Sequence, residues 1–326
     1  MQTELLALLR AADGFVSGEE LSRKLGITRS AVWKAMKQLK QNGYQIDSVT
    51  NRGYRLVNVP DLLTPEEIGS ALQTEWMGKK VYFFEETDST NEEAKRRALQ
   101  GAAAGSAFVA EGQTAAKGRL GRSWQTPAGT DIAFSVLLRP EGTPADVTLI
   151  TLVAGLAVCR ALRAHTGCDA QIKWPNDVVI GRKKVCGILT ELGAEAERIS
   201  FVVIGAGINV NNSTFPPELR EKATSLSLET GRAWRRAPLL AAVLGELEGC
   251  CRRFLSGGAG ALLTEYKPLC LSLGRRISVE RGGRTLLGTA VDVASDGGLV
   301  AENDAGERFV VQSGEVSVQG VYESTR

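Results

Sequence analysis

The sequence has a single histidine, His165, and six cysteines with no CxxC spacing. That scarcity excludes a His/Cys zinc cluster. Cys159, Cys168, Cys186, Cys250, Cys251 and Cys270 are scattered, several of them in apolar runs. Such usage suits free buried thiols in a reducing, cytoplasmic compartment rather than a disulfide framework. Long hydrophobic runs are also missing: the longest, about 147–159, falls short of the ~18 residues a membrane helix needs. Glu4 and Arg10 interrupt the apolar N-terminus, so no signal peptide is expected. No GxxxxGK-Ser/Thr loop, HExxH or GxSxG occurs. The stretch Gly205-Ala206-Gly207-Ile208-Asn209-Val210-Asn211 lacks the third glycine of a dinucleotide fingerprint and opens no clear helix. Any use of a nucleoside triphosphate must therefore be of a non-Walker kind.

At 326 residues the chain is long enough for two or three domains. Net charge is only +2, but it is unevenly spread. Residues 1–60 hold nine Lys/Arg against five Asp/Glu, a net +4, which leaves −2 for the remainder. A basic segment on a near-neutral body suggests an appended polyanion-binding module.

Residues 3–12 read as a helix with Leu5, Leu6, Leu8 and Leu9 on a broad apolar face. Ser17-x-x-Glu20 has capping-box spacing for a second helix, which stops near Gly26. Thr28 caps a third over 29–42, where Val32, Met36 and Leu39 form the inward stripe. Arg29, Trp33 and Lys37 share a different stripe, with Ser30, Lys34 and Lys40 beside it. Two short strands, 44–48 and 53–56, flank Thr50-Asn51-Arg52. This order of elements predicts a winged helix-turn-helix. Its third helix would enter the major groove, and Arg52 on the wing would meet the DNA backbone or minor groove. A small helical bundle that binds protein is the competing reading. The Asn58-Val59-Pro60-Asp61 stretch reads as a linker.

Thr64-Pro65-Glu66-Glu67 starts the next helix. A strand at 81–84 is followed by Ser89-Thr90-Asn91, which either caps the helix after it or grips a small polar head group. Next comes a loop over residues 113–124, in which Lys117, Arg119 and Arg122 are interleaved with Gly118 and Gly121. Glycines allow close backbone approach, and such cations clamp phosphate or carboxylate. After a strand at 132–138 and an apolar helix at 147–165 comes Lys173-Trp174-Pro175-Asn176-Asp177, a turn between two apolar stretches. It places a cation, an amide and a carboxylate together, and Asp177 could hold a metal or orient a partner. Residues 221–268 read as mostly helical. Five short β-type runs follow, at 277–280, 285–292, 299–302, 307–311 and 316–319. Turn chemistry separates them, including Gly282-Gly283.

Four motifs in this order resemble biotin–protein ligase. They are Gln113-Thr114 with Lys117-Gly118-Arg119-Leu120-Gly121-Arg122-Ser123-Trp124; Lys173-Trp174-Pro175-Asn176-Asp177; Lys184-x-x-Gly187-Ile188-Leu189-x-Glu191; and the Gly205–Asn211 stretch. With the basic module in front, the whole chain resembles the bifunctional biotin ligases that also repress the biotin operon. The resemblance implies a multidomain α+β fold. A winged helix-turn-helix would occupy 1–62, a class II synthetase-like biotin/lipoate ligase catalytic domain 63–270, and an SH3-like β-barrel 271–326. It implies that ATP, with Mg²⁺, activates biotin to biotinyl-5′-AMP. The biotinyl group then passes to a lysine of the biotin carboxyl carrier protein. Biotinyl-AMP would also act as corepressor, favouring a homodimer on operator DNA.

Residue by residue, the resemblance implies that Ser89, Thr90, Asn91 and Gln113 bind biotin's ureido and ring end. Lys117, Gly118 and Arg119 would cover the acyl-phosphate, and Lys184 would meet the biotin carboxylate. Lys173, Asn176 and Asn209 match positions near the phosphates and metal, with Arg122 and Trp124 in the nucleotide pocket. Lys117, Arg119, Lys173 and Lys184 would be the catalytic group, and the metal's own ligands are unassigned. The common loop of the family is Gly-Arg-Gly-Arg-x-Gly, and here Ala116-Lys117 departs from it. Two other activities fit the same residues: a biotin-sensing repressor without catalysis, and a lipoate ligase.

Overall fold

A computed structural model describes residues 2–140, 147–195, 198–281, 284–312, 314 and 316–322; the expected Gly282-Gly283 turn lies outside them. The N-terminal helices are α1 (Gln2–Ala11), α2 (Gly18–Leu25) and α3 (Arg29–Gln41), followed by a hairpin of β1 (Gln45–Val49) and β2 (Gly53–Asn58). Ser17 caps α2 by accepting the Glu20 N–H at 3.0 Å, and Thr28 caps α3 by accepting the Ala31 N–H at 3.2 Å. Gly26 turns the chain between the two helices at φ 64°. Leu5, Leu6, Leu9, Leu21, Val32, Met36 and Leu39 form one small core. Gly53 is required on the wing. At φ 99°, any Cβ there would lie 2.0 Å from the Val16 carbonyl oxygen.

The second unit begins with α4 (Pro65–Ala71) and is built on one seven-stranded sheet. Its strands are β3 (Val81–Thr87), β4 (Ala107–Gln113), β5 (Ile132–Leu138), β6 (Ala170–Lys173), β7 (Asp177–Ile180), β8 (Lys183–Glu195) and β9 (Arg198–Ile208). They lie in the order β3-β4-β5-β9-β8-β7-β6, and only the β3–β4 pair is parallel. Alternation along the strands divides the side chains between two faces. Val109, Phe134, Val136, Val202 and Ile204 face a core shared with α6 (Val147–Thr166) and α8 (Arg236–Tyr266). Phe108, Leu137 and Val203 face α5 (Thr90–Leu99), whose Ala94 and Ala98 cover them. A short α7 (Leu226–Thr230) precedes α8, which Gly258 interrupts at φ 66°. Helix α6 outruns the expected apolar stretch because Arg160 and Arg163 punctuate the sequence without ending the helix. Over Thr148–Thr166 it is long and apolar enough to cross a bilayer, yet 67% of that window is buried within the fold. It is a core helix here.

The C-terminal strands are β10 (Arg276–Arg281), β11 (Arg284–Val293), β12 (Leu299–Glu302), β13 (Arg308–Val311) and β14 (Val316–Val318). All five expected runs are strands, in an antiparallel sheet of order β13-β12-β11-β10-β14. Among the described residues the two end strands do not pair with each other, so hydrogen bonding does not close this sheet into the expected barrel. Ile277, Val279, Leu299 and Val316 belong to the same continuous core as the central sheet, and this shared packing fixes the C-terminal sheet against it.

Two adjacent arginines before and at the start of α8 tie the units together. Arg235 donates to Glu67 at 2.9 Å; Glu67 is fully buried on α4 and also accepts from Arg10 of α1 and the Tyr44 hydroxyl. Arg236, 0% exposed, donates to Asp61 in the linker (2.8 Å), to Glu111 on β4 (2.7 Å) and to the Asp131 carbonyl (3.0 Å). Removing one side of a buried ionic cluster leaves the opposite charges uncompensated. Arg236→Leu is therefore expected to cost about 3–5 kcal/mol, read as a fall of roughly 10 °C in the thermal midpoint. A fall under about 3 °C by calorimetry would show that water takes over from the guanidinium.

Candidate active site

The pocket lies on the α5 face of the sheet, where the start of α5 meets β4, β5, β8 and β9. Thr90 donates to Gln113 Oε1 through its backbone N–H (2.8 Å) and its hydroxyl (3.2 Å). Ser135 in β5 donates toward Thr90 Oγ1 (2.7 Å) and Asn91 Oδ1 (2.6 Å). Asn91 Nδ2 donates to Glu191 Oε2 at 2.7 Å, and Gln113 Nε2 donates to Thr126 Oγ1 at 3.0 Å. Of the two readings open for this turn, the cap is not used by Ser89, which makes no side-chain capping bond; its backbone N–H is taken by Asp88 Oδ1 at 2.7 Å. Ser89, Thr90 and Asn91 thus face the pocket instead of serving only as a helix start. Ser135 and Glu191 carry no role in the sequence reading. A lone hydroxyl inside the apolar run of β5 was the signal for Ser135.

The sheet under this pocket is bare. Cβ atoms added at Gly205 and Gly207 of β9 would stand 2.0 Å from Asn91 Oδ1 and 2.2 Å from Trp124 Nε1. One added at Gly187 of β8 would stand 3.0 Å from the Trp124 ring. The glycines of the GAG stretch therefore admit an amide and an indole, not a dinucleotide. Trp124 anchors the 113–124 loop there. Its backbone N–H donates to the Ala116 carbonyl (3.0 Å), and the Gly118 backbone N–H donates to the Arg122 carbonyl (2.6 Å). A 3-10 turn over Arg119–Gly121 makes the tip, with Leu120 in the left-handed region at φ 57°. Ala116 is buried and is not among the residues of positive φ, so alanine fits at this departure from the expected loop pattern.

Arg119 turns back into the site, donating to Asn176 Oδ1 (3.0 Å) and the Gly314 carbonyl (2.9 Å). Asn176 is fixed by its own donation to the Ile188 carbonyl at 2.9 Å. Lys184 Nζ pairs with Asp177 Oδ1 at 2.6 Å and lies over the Trp124 ring, 5.3 Å from its centroid. Lys173 Nζ donates to the Val316 carbonyl at 3.0 Å. Burial pushes the Asp177 carboxyl up. The charges of Lys184 and Lys173 and the hydrogen bonds from Lys184 and Tyr322 outweigh that, so it stays below the ordinary carboxylate value. Asp177 is therefore an anion balanced by two lysines.

Two adjoining cavities result. The smaller, about 60 Å³, is lined by Ser89, Thr90, Asn91, Gln113 and Lys117 with the bare glycines. The larger, about 630 Å³, is lined by Arg122, Lys173, Asp177, Asn209, Asn212, Lys222 and Tyr322 among others. Gly118, Arg119, Trp124, Asn176 and Lys184 line both and form the wall between them. Asn209 borders the larger cavity, but its amide donates to the Thr224 carbonyl (3.0 Å), so it braces the wall. Lys222, Asn212 and Tyr322 were not singled out in the sequence, since nothing local distinguishes them.

A relative named bifunctional ligase/repressor BirA, from Bacillus spizizenii, is 35% identical over 309 residues, covering 94% of this chain and 95% of its own length. The chain belongs to the biotin protein ligase family. The family model described as biotin/lipoate A/B protein ligase matches residues 83–209, an HTH domain model matches 2–55, and a biotin protein ligase C-terminal domain model matches 272–319. A BirA of Escherichia coli is 30% identical over 301 residues, 92% of each chain. Among solved structures, the Aquifex aeolicus biotin protein ligase in complex with biotin and ATP superposes with a TM-score of 0.65 at 32% identity, covering 74% of this chain and 99% of that one.

The helix-turn-helix of this ligase presents a separate polar face. Arg29, Ser30, Trp33, Lys34, Lys37 and Arg52 are all exposed, and Trp33 is 56% exposed. Lys37 Nζ lies 5.6 Å from the Trp33 ring centroid, and the Arg52 guanidinium lies 4.6 Å from that of Phe15. At the catalytic end, a methyl group at residue 207 would have to displace a rigid indole, a strain of about 1–3 kcal/mol. Gly207→Ala is thus expected to free the 113–124 loop, so that trypsin cuts after Lys117, Arg119 or Arg122 roughly tenfold faster or more. Unchanged cleavage rates, read by mass spectrometry, would mean that Trp124 does not anchor the loop.

Proposed function

We propose that this protein joins biotin to the biotin carboxyl carrier protein at the expense of ATP and represses biotin genes when loaded with biotinyl-5′-AMP. The observation that carries this is the shared wall of Arg119, Trp124, Asn176 and Lys184 between a small polar pocket and a large cationic one. Biotin's ureido ring, a neutral group rich in donors and acceptors, occupies the pocket of Ser89, Thr90, Asn91 and Gln113. Lipoate's dithiolane offers nothing to match that polar cluster. The biotin carboxylate then reaches Lys184 at the wall, and the triphosphate lies beyond it among Arg122, Lys173 and Lys222. Two anions meet there, and fixed cations offset their repulsion. A carboxylate oxygen attacks the α-phosphorus and pyrophosphate leaves. Next, the carrier lysine's amine attacks the acyl carbon, AMP leaves and the amine gives up its proton.

Mg²⁺ is expected as the counter-ion of the triphosphate, because Mg²⁺ characteristically binds through substrate phosphates. Among the described residues no three His, Cys, Asp or Glu side chains are grouped to hold a metal by themselves. The loop over 113–124 shields the mixed anhydride from water, with Arg119 as its latch through Asn176 and Gly314. We assign residues 1–62 to DNA binding, 63–270 to catalysis and 271–326 to an SH3-like module. The repressor acts as a ligand-promoted homodimer in the cytoplasm.

Incubating the chain with ATP, Mg²⁺, biotin and a carrier domain should add one biotinyl mass to the carrier. An unmodified carrier together with absent biotin-dependent ATP–pyrophosphate exchange would leave a sensor without catalysis. Arg119→Gly cuts both latch bonds and is expected to release free biotinyl-AMP and to label unrelated lysines; adenylate retention equal to wild type would remove Arg119 from this role. For DNA, Lys37→Ala should weaken duplex binding evenly across sequences and lower the salt slope by about one. A slope equal to wild type would place Lys37 away from phosphate.

A further inference from the structure

Tyr322 has an uncommon backbone conformation. Its φ of 65° puts an aromatic side chain in the left-handed region, a costly conformation that persists only where its surroundings impose it. Its N–H donates to the Arg182 carbonyl at 3.1 Å, which pins the backbone. Its hydroxyl donates to Asp177 Oδ2 at 2.8 Å, and Lys173 Nζ lies 4.8 Å from its ring centroid. One side chain therefore touches both charged residues of the Lys173–Asp177 turn, and it borders the larger cavity.

The two Asp177 oxygens are divided. Lys184 takes Oδ1 at 2.6 Å and Tyr322 takes Oδ2. A carboxylate with one oxygen occupied by a neutral donor cannot rotate to grip the lysine with both. It also draws less of the ammonium charge away from an incoming anion. We propose that Tyr322 is a positioning residue for adenylate formation. Its hydroxyl orients Asp177 so that Lys184 stands at the wall where the biotin carboxylate meets ATP, and its ring places Lys173 beside the phosphates. The proposal rests on the ligase reading given above.

The test is biotin-dependent ATP–pyrophosphate exchange by the full chain, with rates normalised to the active-site titre. Tyr322→Phe keeps the ring and loses the hydroxyl. It is expected to lower kcat about ten- to a hundredfold while leaving KM for ATP within about twofold. Tyr322→Leu loses both contacts and should raise KM for ATP as well. Wild-type kcat in Tyr322→Phe, or a raised KM for ATP with kcat unchanged, would overturn the proposal while leaving the ligase reading intact. No exchange by the wild-type chain would overturn both. Tyr322→Phe replaces no packing group, so it decides the matter even if Tyr322→Leu fails to fold.

Discussion

The catalytic unit depends on a strip of sheet without side chains. Gly187, Gly205 and Gly207 sit where two antiparallel strands pass beneath the pocket, and each leaves room for a specific neighbour. Asn91 descends onto Gly205, and the Trp124 indole lies on Gly207 and Gly187. Both side chains come from elsewhere in the chain, one from a helix start and one from a loop end. The bare strip lets them approach the backbone closely enough to define the pocket. The opposite face of the same strands carries Ile188, Ile204, Ala206 and Ile208 into the main core, so the strip is rigid although it is empty.

Electrostatics are arranged around this floor by segments distant in sequence. Arg119 is held by Asn176 and the Gly314 carbonyl, Lys173 by the Val316 carbonyl, and Lys184 by Asp177. These contacts set Arg119, Lys173 and Lys184 along one stretch of the cavity lining. Fixed cations of this kind offset the repulsion between a carboxylate and a triphosphate. Two of the supporting carbonyls come from the C-terminal segment, which therefore completes the site. The Arg235–Arg236 pair ties the DNA-binding unit and its linker to the catalytic sheet through Glu67, Asp61 and Glu111.

Much of this was legible in the sequence. Ser17 and Thr28 cap the helices they were expected to cap, and Val32, Met36 and Leu39 face inward at helical spacing. Five C-terminal strands appear where short β-type runs and turn residues placed them. Local spacing carries such features because caps, turns and amphipathic faces are settled within a few residues. The reading stayed open where two local explanations were equivalent. Ser89-x-x-Glu92 has the spacing of a cap, yet the Ser89 side chain makes no capping bond. Closure of the C-terminal sheet was likewise beyond local signals, since it depends on whether β13 and β14 meet.

By itself, the sequence determined the order of modules, the absence of a Walker-type phosphate loop, and the loop and turn residues from which the site is made. Periodicity, turn chemistry and residue type suffice for those. Only the tertiary structure decided which cations share a wall, why the GAG glycines are needed, what Glu191 holds, and that Ser135 and Tyr322 belong with the site. The reason is that these are contacts between residues tens to hundreds of positions apart. Their geometry follows from strand register and sheet order, and neither is encoded in any one stretch of the chain.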